Sequence, residues 1–140
     1  MKGVKLMLEP TSVILARRGL DRGGRVQKYI DNEVLRRNAP YVPHATGTLQ
    51  DSGRTATVIG SGEVVYNTPY ARYLYYERLM VSPTTGSAWA KKNEKKVLTP
   101  VKLTYHGGGK RGGYHFERMK ADHGKDILKT AANMAGGKAK

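Results

Sequence analysis

The stretch RTATVIGSGEVVYNT, residues 54–68, decides how this chain is read. Thr55–Ile59 and Glu63–Tyr66 are runs rich in β-branched residues, and Gly60-Ser61-Gly62 lies between them. Two such runs around a glycine turn predict an antiparallel hairpin, because glycine reaches the backbone angles a tight turn demands. Asn67-Thr68-Pro69 closes the second strand. A hairpin between helical stretches makes the class α+β.

Upstream, Val26, Ile30 and Val34 recur every four residues with Tyr29 and Leu35 beside them. That spacing predicts a helix over 21–38, capped by Asp21, with Arg25, Lys28, Asp31, Asn32 and Arg36 on its wet face. Pro40 and Pro43 stop it and open a turn-rich loop over 40–53. Nearer the start, alternation over 4–9 predicts a short strand ended by Pro10. Thr11–Arg18 reads equally as a turn of helix or a second extended piece. Downstream, Phe116, Met119, His123, Ile127 and Ala131, with Leu128 alongside, predict a helix over 114–133, and His123 as a core histidine on its apolar stripe. Gly136-Gly137 end it, and 135–140 is expected to be a flexible tail.

Between these helices, residues 82–113 read as a long basic excursion bracketed by Ser82-Pro-Thr-Thr-Gly86 and Gly107–Gly113. Lys91, Lys92, Lys95, Lys96, Lys102, Lys110 and Arg111 stand in it against Glu94 alone. Val97–Tyr105 is a further candidate strand, an arm that orders against a neighbour. The expected whole is one domain over 1–140: a small, mainly antiparallel sheet (4–9, 54–60, 63–68 and 97–105) covered by two helices, with 82–113 as an extended arm.

The chain has 140 residues and a formal charge of +14, with 10 basic and 6 acidic groups in residues 1–70 and 15 and 5 in residues 71–140. A basic excess favours polyanions, either nucleic acid or acidic protein surfaces. Nine tyrosines beside one Phe suit a surface that meets other proteins, since each ring is buried while its hydroxyl finds a polar partner. Cysteine is absent, which removes disulfide scaffolds and thiolate zinc sites and fits assembly in a reducing cytoplasm. No apolar run approaches the roughly 20 residues that span a bilayer, so no membrane role is expected.

Catalysis finds no evident players. His106-Gly-Gly-Gly109 lacks a nucleophile elbow, and Gly109-Lys110 is followed by Arg111 instead of the Ser or Thr of a phosphate-binding loop. His44, His106, His115 and His123 lack ligand spacing, and no carboxylate pair sits among apolar residues. Neither catalytic residues, a metal nor a cofactor is expected.

The order of motifs says more than any one of them. Tyr41-Val-Pro43 followed by Thr46-Gly47-x-Leu49-x-x-Ser52 resembles the turn after the first helix in phage minor capsid proteins of the head–tail joining and tail-completion group. Ala45 stands where that family usually has Asp or Glu. Val65-Tyr66-x-x-Pro69-Tyr70-Ala71-x-x-x-Tyr75-Tyr76-Glu77 is similar to the family's second block, and Tyr114–His123 to the opening of its last helix. Gly47 is expected at positive φ, Thr46 and Ser52 capping amides, and Leu49 pinning the loop to the core. Tyr70 and Tyr76 either pack on the hairpin or face a neighbour; Tyr73, Tyr75 and Glu77 are candidates for contacts between subunits.

The resemblance implies a structural virion protein, assembled in the host cytoplasm: a ring of six or twelve copies at the head–tail junction, touching other neck and tail proteins. Lys91, Lys92, Lys95, Lys96, Lys110 and Arg111 would then face an acidic connector or DNA in the channel. The alternative is a basic nucleic-acid-binding module, for which the sequence offers neither a reading helix nor an exposed aromatic platform. A third is a phage protein of another station, such as a decoration or baseplate component.

Overall fold

A computed structural model describes residues 3, 7–44, 46–105 and 108–138. Its elements in order are α1 (Thr11–Arg17), α2 (Arg25–Asn38), α3 (Thr48–Ala56), α4 (Ala71–Tyr75), β1 (Arg78–Val81), β2 (Val97–Lys102) and α5 (His115–Met134). Helices and an antiparallel sheet of two strands make a small α+β fold.

The two long helices stand where the apolar spacing put them, and they pack on each other. Their seam is the core: Tyr41, Met119 and Ile127 are buried, with Tyr29, Ile30 and Val34 against them. Tyr41 lies at the centre, its hydroxyl donating to Asp122 of α5. α2 begins at Arg25 and not at Asp21, because Gly23 takes φ +73° and leaves the helical region. The ambiguous stretch after Pro10 is helical: Pro10, fixed near φ −53°, offers its carbonyl to the amides of Val13 and Ile14. Of the strand expected over 4–9, residues 4–6 lie outside the described residues, and 7–9 carry no regular structure.

The hairpin over 54–60 and 63–68 does not form. Arg54–Ala56 close α3, where Ser52 and Thr55 bond the carbonyls of Leu49 and Asp51 at 2.7 and 3.2 Å, which lets hydroxyl residues sit in a helix. The following loop spends its polar groups elsewhere. Gly60 and Gly62, both at positive φ, aim their amides at the Asp31 carboxylate at 2.7 and 3.1 Å, while Gln27 donates to its other oxygen. Asp31 is therefore buried and not on the wet face of α2. The two β-branched runs do meet, but through one side chain: Thr57 Oγ1 accepts from the Val65 amide at 2.9 Å and donates to its carbonyl.

The sheet forms further on. β2 occupies the first six residues of the 97–105 candidate and pairs with β1 of its own chain, Arg78 opposite Lys102 and Met80 opposite Leu98. The register slips between Arg78 and Met80. Pro100 in β2 has no amide to give the ladder, and Thr99 Oγ1 donates to the Leu79 carbonyl instead, at 2.7 Å. β2 is largely exposed, while β1 is half-buried apart from Arg78. The 82–113 stretch is thus not one extended piece. Its start closes on itself, its middle pairs with β1, and its end binds the body through Gly112 N to Tyr41 O and Arg111 to the carbonyls of Ala39 and Val42.

Candidate functional site

The first two motif blocks converge on one cleft of about 330 Å³. Pro43, Thr46, Gly47 and Leu49 line one side, and Tyr70 and Tyr73 another. Gly47 has φ +81°, which turns the chain into α3, and Leu49 is buried beneath. Among the described residues the two hydroxyls of the turn find other partners than amides: Thr46 Oγ1 pairs with Thr48 Oγ1 at 2.8 Å, and Ser52 donates to the Leu49 carbonyl inside α3. Burial raises the Tyr73 phenol above its usual pKa, with the neighbouring Tyr70 adding to it. Burial and then Glu77 push Tyr105, at the back of the cleft, up to about 12. Both remain protonated donors at neutral pH. Among the described residues the lining carries no carboxylate; it offers hydroxyls, aromatic faces and one imidazole, that of His44.

The Tyr-Glu block divides. Tyr75 packs inside the chain, its ring edge-on to His115 at 4.9 Å and tilted on Tyr114 at 5.5 Å. Its carbonyl accepts the Tyr114 amide, and Glu77, at φ +59°, accepts the Leu103 amide on its carbonyl. Tyr76 is the exposed one. The buried histidine is His115, not His123. Burial, then the Arg118 charge, lower its pKa to about 4, and its Nδ1 lies 2.9 Å from Asn38 Nδ2. His123 is half-buried between Arg37 and the Tyr41 ring. Polar neighbours keep it at the edge of the core.

The basic set divides too. Lys110 sits on Tyr41, 5.2 Å from its ring centre, and Arg111 is spent on backbone carbonyls, so both act inside the fold. Lys91, Lys92 and Lys95 are exposed on the loop joining β1 to β2, and Lys96 stacks over Tyr73 at 5.4 Å, at the lip of the cleft. Glu94 does not neutralise them. One of its oxygens accepts from Ser82 and Thr84 at 2.6 and 2.7 Å, and the other from the Lys91 amide at 2.9 Å. Those hydrogen bonds, the Ser82 one foremost, hold its pKa down at about 2. Among the described residues each ion pair uses an arginine and none a lysine. Lys91, Lys92 and Lys95 are thus exposed and make no ion pair among the described residues.

Beside them Trp89 is 87% exposed. It is the chain's one tryptophan, set in a polar lysine-rich stretch without apolar periodicity, and that isolation was the available signal. Among the described residues no cluster of three or more His, Cys, Asp or Glu could hold a metal, and no helix is long and apolar enough to cross a membrane. His106 and Gly107 lie outside the described residues.

Searches of curated proteins and of solved structures return no match. A protein-family model described as minor capsid protein does match, over residues 12–108. That span takes in α1 to β2, the cleft and the basic loop; the third motif block, in α5, lies beyond it. With the match running through more than half of its length, the chain belongs to the phage minor capsid protein family and is a structural component of the virion.

Proposed function

We propose that the chain forms a closed ring at the head–tail junction, between the portal-side connector and the tail tube, and docks there through its basic loop. The supporting observation is the loop between the strands, where Lys91, Lys92 and Lys95 are exposed, Lys96 lies over Tyr73 beside them, and the single nearby acid is turned into the loop. A concentrated charge without internal partners steers association with an acidic surface and raises the docking rate. The cleft under Lys96 offers that surface a place to anchor a side chain.

The test is a phage carrying Lys91, Lys92, Lys95 and Lys96 all changed to Gln. The purified variant should melt as the parent does, while infected cells accumulate filled heads and free tails. A normal infectious yield would sink the proposal. Cryo-electron microscopy of the parent particle gives an independent answer, since a neck density that does not fit this chain refutes the location.

A second reading is favoured by Trp89. An exposed indole beside four lysines combines base stacking with phosphate contact, as single-stranded nucleic-acid surfaces do. It predicts DNA binding that weakens steeply with salt and weakens again in Trp89→Ala. Salt-independent or absent binding removes it.

A further inference from the structure

Among the described residues, the cleft between the turn at 43–49 and α4 has a cation at its lip and no carboxylate in its walls. The cation is Lys96, whose ammonium lies 5.4 Å from the centre of the Tyr73 ring. The acids that could neutralise it are engaged or set apart. Glu94, on the same loop, accepts from Ser82 and Thr84, and Asp51 in α3 is paired with Arg54 at 2.9 Å. Glu77 acts on Tyr105 but does not line the cleft.

Two hydrogen-bond donors of the cleft are equally unspent. Tyr70 and Tyr73 stand three residues apart at the start of α4, their ring centres 6.3 Å from each other. Neither hydroxyl meets a partner among the described residues. Burial keeps the Tyr73 phenol protonated at neutral pH, so it donates to an anion and does not repel it. Tyr105 differs, because its hydroxyl is given to the Leu74 carbonyl and holds the wall. Pro43, Leu49, Leu74 and the tyrosine rings supply apolar surface beside these donors. At about 330 Å³ the cleft lies at the low end of ligand pockets, which run from roughly 300 to 1,000 Å³. That size suits a side chain better than a cofactor.

We propose that the cleft receives a glutamate side chain from an acidic partner protein, its methylenes on the apolar wall and its carboxylate shared by the Lys96 ammonium and the Tyr70 and Tyr73 hydroxyls. This assignment rests on the docking in the proposed function and names the chemistry of its anchor. Charge complementarity carries it. Hydrogen bonds to an ionised acceptor are roughly twice as strong as neutral ones, and a site partly withdrawn from water strengthens the attraction of the ammonium. The match is to a single negative charge. One ammonium and two phenols suit a carboxylate, and no arginine lines the cleft for bidentate capture of a phosphate. Glutamate fits better than aspartate because its longer stem covers more of the apolar wall.

Isotope-labelled full-length protein, titrated with the capped peptides acetyl-Gly-Ala-Glu-Ala-Gly-amide and acetyl-Gly-Ala-Gln-Ala-Gly-amide, tests this by NMR. The Glu peptide should shift the amides of residues 46–49 and 70–74 at concentrations about tenfold below those the Gln peptide needs. Tyr73→Phe and Lys96→Gln should each weaken the Glu peptide several-fold. Tyr73→Phe removes only a hydroxyl without a partner among the described residues, so that variant should melt as the parent does. Equal shifts by the two peptides, or Glu-peptide shifts confined to Lys91, Lys92 and Lys95, would overturn the carboxylate assignment and leave docking through the loop standing. Failure of either peptide to shift the cleft overturns it as well. Inorganic phosphate shifting the same amides more strongly than the Glu peptide would make the cleft a phosphate site and refute the carboxylate. The docking itself is judged separately, by the phage with four lysines changed. A normal yield there, beside a Glu-specific shift here, would remove the docking role and keep the binding site.

Discussion

His115 should make the fold acid-sensitive within a narrow window. Its ring is 4% exposed, accepts from Asn38 at Nδ1 and lies edge-on to Tyr66 and Tyr75. Its pKa falls from 6.5 to about 4, chiefly because burial disfavours the charged ring. Between those values the unfolded chain binds this proton and the folded chain does not. The stabilisation is therefore complete above pH 6.5 and is lost as pH falls towards 4. At about 1.4 kcal/mol per pH unit, the loss between pH 7 and pH 5 is roughly 2 kcal/mol. The acids interfere little there. Hydrogen bonds from Arg36 and Arg37 hold Glu33 at about 2, so its own contribution fades only below the ordinary carboxylate range. Thermal melts at pH 7 and pH 5 should differ by roughly 4–8 °C in the parent. His115→Gln keeps a polar group for Asn38 without titrating, and should remove most of that difference. An equal pH dependence in parent and variant would refute the assignment of the effect to this ring.

Asp31→Ala should cost about 2–4 kcal/mol, because it leaves the Gly60 and Gly62 amides without their acceptor, while Asp31→Asn, which keeps one oxygen, should recover part of it. Urea unfolding of the three proteins checks the order, and an Ala variant as stable as the parent would show the loop held by other means. Gly113→Ala should destabilise by about 1–3 kcal/mol or more, since a Cβ there would lie 2.1 Å from Glu77 Cγ and 2.8 Å from the Tyr75 carbonyl. An unchanged melting temperature would show that this junction yields.

The long helices were legible because their cores recur at helical spacing, as Val26, Ile30 and Val34 do in α2. The sheet was legible in class and, for the strand within 97–105, in place, but its pairing partner was not. Residues 54–66 have strand composition, yet the two glycines find a carboxylate on α2 and Thr57 replaces the ladder, all of it beyond local propensity. β1 was hidden by its four-residue length and by Glu77, a non-glycine at positive φ just before it. The meeting of the turn at 43–49 with Tyr70 and Tyr73 follows from tertiary packing alone. The composition of 91–96 showed a basic patch, but which of its charges stayed exposed depended on where Glu94 and Lys96 turned.

The burial of Tyr41 under Met119 and Ile127 orders events during synthesis. When the ribosome has made α1 to β2, the loop at 57–65 can already settle on Asp31, whose helix precedes it. The seam around Tyr41 cannot close until α5 emerges more than 70 residues later. A nascent chain therefore holds its central tyrosine uncovered until synthesis is nearly complete, and the two long helices can only pack as the last step.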